Sequence, residues 1–117
     1  MEIEQLQTLV LQSLEDMKAR DVRLLDVRGK SSITELMVVA TGTSSRHVKS
    51  LADAVAVKAK EAGEVPLGIE GDNDTEWFLV DLNDIVVHVM TQESRDFYNL
   101  EKLWGEDQSN SQRLGAL

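Results

Sequence analysis

The stretch Leu36-Met37-Val38-Val39-Ala40 constrains the fold more than any other part of the chain. Five consecutive apolar residues, closed by Thr41-Gly42, are too short for a buried helix. They suit a strand covered on both faces, in the middle of a sheet. A central strand needs neighbours, and the flanking sequence supplies them. Arg23 to Val27 reads as a strand ended by Gly29, with a turn or bulge at Ser31-Ser32. Trp77 to Leu82 and Ile85 to Thr91 read as two strands separated only by Asn83-Asp84, which predicts a hairpin. Asn tolerates the positive φ that such a turn needs, although Gly is preferred at its second position. A shorter edge strand, Val65 to Ile69, is expected in the stretch around Pro66. The turn signal Gly71-Asp72-Asn73-Asp74 comes after it.

Helices occupy the intervals. Ile3, Leu6, Val10, Leu14 and Met17 recur every three or four residues and predict an amphipathic helix over 3–19. A second helix begins at Gly42-Thr43-Ser44-Ser45, with Ser44 or Ser45 as N-cap. It buries Val48, Leu51, Val55 and Ala59 and stops at Gly63, a C′ glycine. Arg46, Lys49, Lys58 and Lys60 make it the most basic element. A third runs from Glu93 to Trp104, with Phe97, Leu100 and Trp104 on one face and Gly105 as terminator. Residues 106–117 are polar and read as a flexible tail. The order helix, strand, strand, helix, edge strand, strand, strand, helix predicts an α/β (α+β) fold. Its sheet is mixed, mostly five-stranded and flanked by helices. At a chain length of 117 residues, 1–105 are expected to form one domain.

Charge and chemistry narrow the function. The chain has no cysteine, which removes disulfides and thiol chemistry. It has no apolar run near the roughly 20 residues that span a bilayer. The start Met1-Glu2-Ile3-Glu4 lacks the basic region of a secretory signal, so a cytoplasmic location is expected. Net charge is −9. Residues 1–63 carry nine acids and nine bases, whereas 64–107 carry twelve acids against Arg95 and Lys102. Such a half binds phosphate backbones poorly, so little direct nucleic-acid binding is expected. A basic protein surface is the better match, steered by complementary fields. All five aromatic residues (Trp77, Phe78, Phe97, Tyr98, Trp104) lie in this acidic half. Phe78 and Phe97 are expected to fill the core.

Catalytic patterns are weak. Gly42 to Ser45 sits at a strand-to-helix junction that could hold an anion, but no P-loop pattern accompanies it and a capped helix start suffices. Asp72 to Glu76 begins like a calcium loop, yet Trp77 stands at the sixth position and Asn83 at the twelfth, so no metal is expected. Asp26, Asp81 and Asp84 could form a phosphoryl-transfer centre only with cationic groups that this half lacks. His47 is expected near solvent. His88 shares a strand face with Val86 and Met90 and is read as structural or interfacial. No catalytic residue, cofactor or metal is assigned.

Several blocks together resemble the ribosomal silencing factor, or iojap-like, family. They are Leu25 to Thr34, Ala40 to Val48, Pro66 to Gly71, Trp77 with Val80-Asp81, Val86 to Met90, and Leu100 to Trp104. The resemblance implies a nucleotidyltransferase-like topology without catalysis. It also implies binding to the large ribosomal subunit through a conserved large-subunit ribosomal protein, the fourteenth in the usual numbering. Occupying that intersubunit face would block joining of the small subunit and repress translation. On the family pattern, Trp77 and Tyr98 take the main partner-binding roles, with Leu82, Asn83 and Met90 as neighbours. Glu93 and Asp96 would form a charged rim. Asn83 stands where family members commonly have Gly. A homodimer through the aromatic patch is a further expectation. The alternatives are a nucleotidyltransferase-type enzyme and a large-subunit assembly factor.

Overall fold

The computed structural model describes residues 1–29, 34–72, 74 and 76–103. The expected turn at Ser31-Ser32, the helix end at Trp104-Gly105 and the 106–117 tail lie outside them. The elements are α1 (Ile3–Asp16), β1 (Arg20–Asp26), β2 (Leu36–Gly42), α2 (Ser45–Glu61), β3 (Gly68–Asp72), β4 (Trp77–Asp81), β5 (Ile85–Thr91), α3 (Gln92–Tyr98) and the single turn α4 (Leu100–Leu103).

The five strands form one mixed sheet in the order β1-β2-β5-β4-β3. β2 and β5 run parallel at its centre and every residue of both is buried, as their apolar runs require. The other pairings are antiparallel. The α1 and α2 helices cover one face. Their Leu6, Val10, Leu14, Val48, Leu51 and Val55 pack on Leu36, Val38, Ala40, Val80, Val87 and Val89. The other face carries a smaller cluster of Leu25, Val27, Met37, Val39 and Met90, edged by Trp77 and Leu100.

Local chemistry sets the ends. Ser44 caps α2 by accepting the His47 N–H at 3.1 Å. Gly63 closes it at φ 95°, donating to the Lys60 carbonyl, while Glu64 donates to that of Ala59. The same two-bond closure ends α1 earlier than expected, at Asp16. Lys18 takes the left-handed position at φ 63°, and Ala19 returns its N–H to Leu14. At Asn83 (φ 73°) the chain turns between β4 and β5, and the Asn83 N–H donates to Asp81 Oδ1 at 2.9 Å.

Three expectations need correction. The edge strand is 68–72, not 65–69, because Pro66 has no N–H to donate and the first sheet-side bond comes from Leu67 to the Asp81 carbonyl. β1 begins at Arg20 and carries an irregularity between Arg20 and Arg23, where Asp21 adopts φ 48°. The last helix is not continuous: Asn99 takes φ 51° and ψ 52° and splits it into α3 and α4.

Candidate interaction surface

β4 and α3 bring two aromatic residues together from 21 positions apart. Trp77 opens β4, and Tyr98 closes α3. Their ring centroids are 4.5 Å apart, tilted by 47°. Phe97 meets Tyr98 edge-on at 5.0 Å. On the inner side, the Trp77 indole N–H donates to His88 Nδ1 at 3.1 Å. Phe97, Tyr98, Trp77 and His88 thus form a row running from solvent into the sheet. Phe97 is 80% exposed and Tyr98 37%, whereas His88 is buried. Desolvation lowers the His88 pKa from 6.5 to about 4, so the ring is neutral at physiological pH. The indole can only donate, which makes Nδ1 the bare nitrogen and puts the proton on Nε2.

The exposure of Phe97 overturns the expectation that it fills the core, and Arg95 explains why. Its guanidinium is buried, donating to the Asp21 carbonyl at 2.6 Å and to Thr41 Oγ1 at 2.7 Å. With Arg95 turned toward the sheet, a helix at 100° per residue points position 97 the opposite way. Tyr98, three residues on, stays beside the sheet. Exposed Glu93 and Asp96 stand on the same helix. Glu70 and Asp72 lie on β3, with Asp72 paired to Trp77 in register. A shallow depression of about 220 Å³ between Glu70, Gly71, Trp77 and Leu79 adjoins the indole. The aromatic row therefore has two carboxylates on the strand beside Trp77 and two more on the helix that carries Tyr98.

The other expected contact residues lie elsewhere. Met90 pairs with Trp77 across the hairpin and is wholly buried beneath it, so it supports the indole and offers no surface. Leu82 is buried in the α1–α2 core, on the opposite face of the sheet. Asn83 is exposed but sits six residues from Trp77, about 20 Å along β4 at the usual strand rise. Sequence reasoning read His88 as structural or interfacial without linking it to Trp77, and gave no role to Glu76. The first was within reach of the pattern. A two-residue connection at 83–84 fixes the pairs Leu79–His88 and Trp77–Met90, which puts His88 diagonal to Trp77.

The alternative enzyme site comes apart in space. Gly42 to Ser45 lies at the C-terminal end of the parallel pair, whereas Asp26, Asp81 and Asp84 lie at its N-terminal end, a strand length away, with Asp26 and Asp81 three strands apart. The groups of the turn are also consumed internally. The Thr43 N–H donates to His47 Nδ1 at 2.9 Å, and Ser45 Oγ donates to Glu76 Oε2 at 2.8 Å. Gly42 is there for packing, since a Cβ would stand 2.8 Å from Val48 Cγ2. His47 is likewise structural: its Nε2 lies 2.8 Å from the Met17 carbonyl and ties α2 to the end of α1.

Comparison with known proteins bears on the whole chain. Residues 1–116 match the family model described as "Ribosomal silencing factor during starvation". The chain is 47% identical over 116 residues to ribosomal silencing factor RsfS of Chromobacterium violaceum, covering 99% of this chain and 94% of that one. It is 45% identical over 95 residues to the Haemophilus influenzae protein of the same name, covering 81% and 93%. A crystal structure of a Chromobacterium violaceum protein, also 47% identical, superposes with a TM-score of 0.87 over 99% of this chain and 96% of that one.

Proposed function

We infer the work of the aromatic patch from one premise: the chain belongs to the ribosomal silencing factor family. Such a factor represses translation by binding the large ribosomal subunit and is not an enzyme. The proposal concerns how. The Trp77–Tyr98 pair is the anchor that docks on the fourteenth large-subunit protein, at the face that meets the small subunit. Repression is then steric, because the bound domain occupies the space into which the small subunit would close.

The single observation that carries this reading is the row Phe97–Tyr98–Trp77, exposed at Phe97 and Tyr98, with Glu70 and Asp72 on the neighbouring strand and Glu93 and Asp96 on the helix that carries Tyr98. Rigid aromatic side chains give large contact area at small entropic cost, and such anchors dominate interface energetics. The acidic residues of these two elements favour a basic protein surface over bare RNA and raise the encounter rate. We read the scaffold as nucleotidyltransferase-like in topology, put to use as a platform. The reading assigns the chain to the cytoplasm, with its ribosomes. A second copy could use the same row to form a homodimer, in which case dimer and ribosome complex compete for it.

The test is co-sedimentation with separated ribosomal subunits, followed by addition of the missing one. Binding to the large subunit alone, with fewer joined ribosomes, is the expected result. If Trp77→Ala and Tyr98→Ala bind and block joining as well as the unaltered chain, the docking surface lies elsewhere.

A further inference from the structure

Glu76 immediately precedes Trp77 and holds φ 55°, a left-handed conformation that glycine adopts with less strain. Its backbone is fixed on both sides: the N–H donates to the Asp72 carbonyl at 3.0 Å, and the carbonyl accepts the Thr91 N–H at 3.2 Å. Its carboxylate does more. Oε2 accepts from Ser45 Oγ at 2.8 Å, and Oε1 accepts from Thr91 Oγ1 at 3.1 Å. Ser45 is the first residue of α2, and Thr91 is the N-cap of α3, whose oxygen in turn accepts the Ser94 N–H. One carboxylate therefore joins the start of β4 to the starts of two helices.

The attachments at β4 and α3 matter because each of these elements carries one ring of the patch. Trp77 is the next residue after Glu76, and Tyr98 lies at the far end of the seven-residue helix that Thr91 caps. The two rings come from different elements, joined at this carboxylate and across the 4.5 Å ring contact. We propose that Glu76 is a positioning residue for the docking surface, fixing Trp77 and Tyr98 in one relative geometry by tethering β4 to the cap of α3. The proposal rests on the anchor role given to those rings above. A glycine would satisfy the backbone at position 76 but could not make the tether, so the side chain is what this position uses.

The experiment compares Glu76→Gly and Glu76→Gln in a Trp104→Phe background, which leaves Trp77 as the only indole. Near-UV circular dichroism reads the Trp77–Tyr98 geometry, and co-sedimentation with large ribosomal subunits reads affinity. Glu76→Gly is expected to fold, lose the near-UV signal of the pair and bind roughly tenfold more weakly, with little further loss when Tyr98→Ala is added. Glu76→Gln keeps the length and one acceptor oxygen, and is expected to restore part of both signals. A folded Glu76→Gly chain with unaltered near-UV signal and affinity overturns the proposal, as do losses that simply add to that of Tyr98→Ala. Failure of the anchor reading looks different: Trp77→Ala then binds normally, while the near-UV arm still decides whether Glu76 orders the pair.

Discussion

The Trp77 indole N–H donates to Nδ1 of His88 at 3.1 Å, so the ring that anchors the patch is held by a histidine that must stay neutral. Burial keeps it so, lowering its pKa to about 4. In the unfolded chain the same imidazole titrates near 6.5.

That difference fixes a pH dependence. Between about pH 6.5 and 4 the unfolded state binds the proton and the folded state does not, so stability falls with acidification across this window. The loss attributable to His88 is about 3 kcal/mol by pH 4. Urea unfolding at a series of pH values, compared with His88→Asn, checks it. Asn can still accept from the indole but does not titrate, so its curve is expected to be flatter over that window.

Phe97 separates packing from docking. At 80% exposure it contributes little to the fold, so Phe97→Ser is expected to change stability by no more than about 0.5 kcal/mol. Trp77→Ala or Tyr98→Ala is expected to cost about 2 kcal/mol or more of large-subunit binding. Thermal unfolding and co-sedimentation on the same three variants give both numbers.

Leu82 and Met90 should behave as core residues. Truncation of either to Ala is expected to cost about 2–5 kcal/mol of stability. Affinity per folded molecule is the discriminating readout. Leu82→Ala, on the α1–α2 face, should leave it intact. Met90→Ala removes the floor under Trp77 and should weaken it.

Arg95 is the residue that orients α3. Arg95→Met leaves the Asp21 carbonyl and Thr41 hydroxyl without this donor and is expected to destabilise the fold by about 3 kcal/mol. Lysine offers a point charge without the planar fork and should rescue little of it. Denaturant melts of the two variants settle the comparison, and a red-shifted Trp77 emission, read in a Trp104→Phe background, would report the displaced Tyr98.

Much of the scaffold was legible because its signals are local. The run from Leu36 to Ala40 demanded burial on both faces, and β2 is buried throughout. Ser44 and Gly63 mark α2 through capping chemistry that acts within one turn. The short connection at Asn83-Asp84 specified the hairpin and, through it, the neighbours of Trp77. Lys18, Asp21 and Asn99 were not legible in this way. Each takes positive φ where no glycine announces it: at Lys18 and Asn99 the bonds that close a helix set the conformation, and at Asp21 the carbonyl accepts from Arg95, 74 positions away.

The amino-acid pattern by itself therefore determined the element types, the central strand, the hairpin register and the family to which the chain belongs. Periodicity reports that a segment has two faces. It does not report which face meets the sheet. In α3 that choice belongs to Arg95, whose partners Asp21 and Thr41 lie 74 and 54 positions away in the chain. Their bonds turn a charged residue inward and an aromatic one outward, against the order that hydrophobicity alone would give. Only the tertiary structure could make Phe97 surface, Met90 floor and Trp77 with Tyr98 a single patch, because each of these assignments depends on contacts between elements distant in sequence.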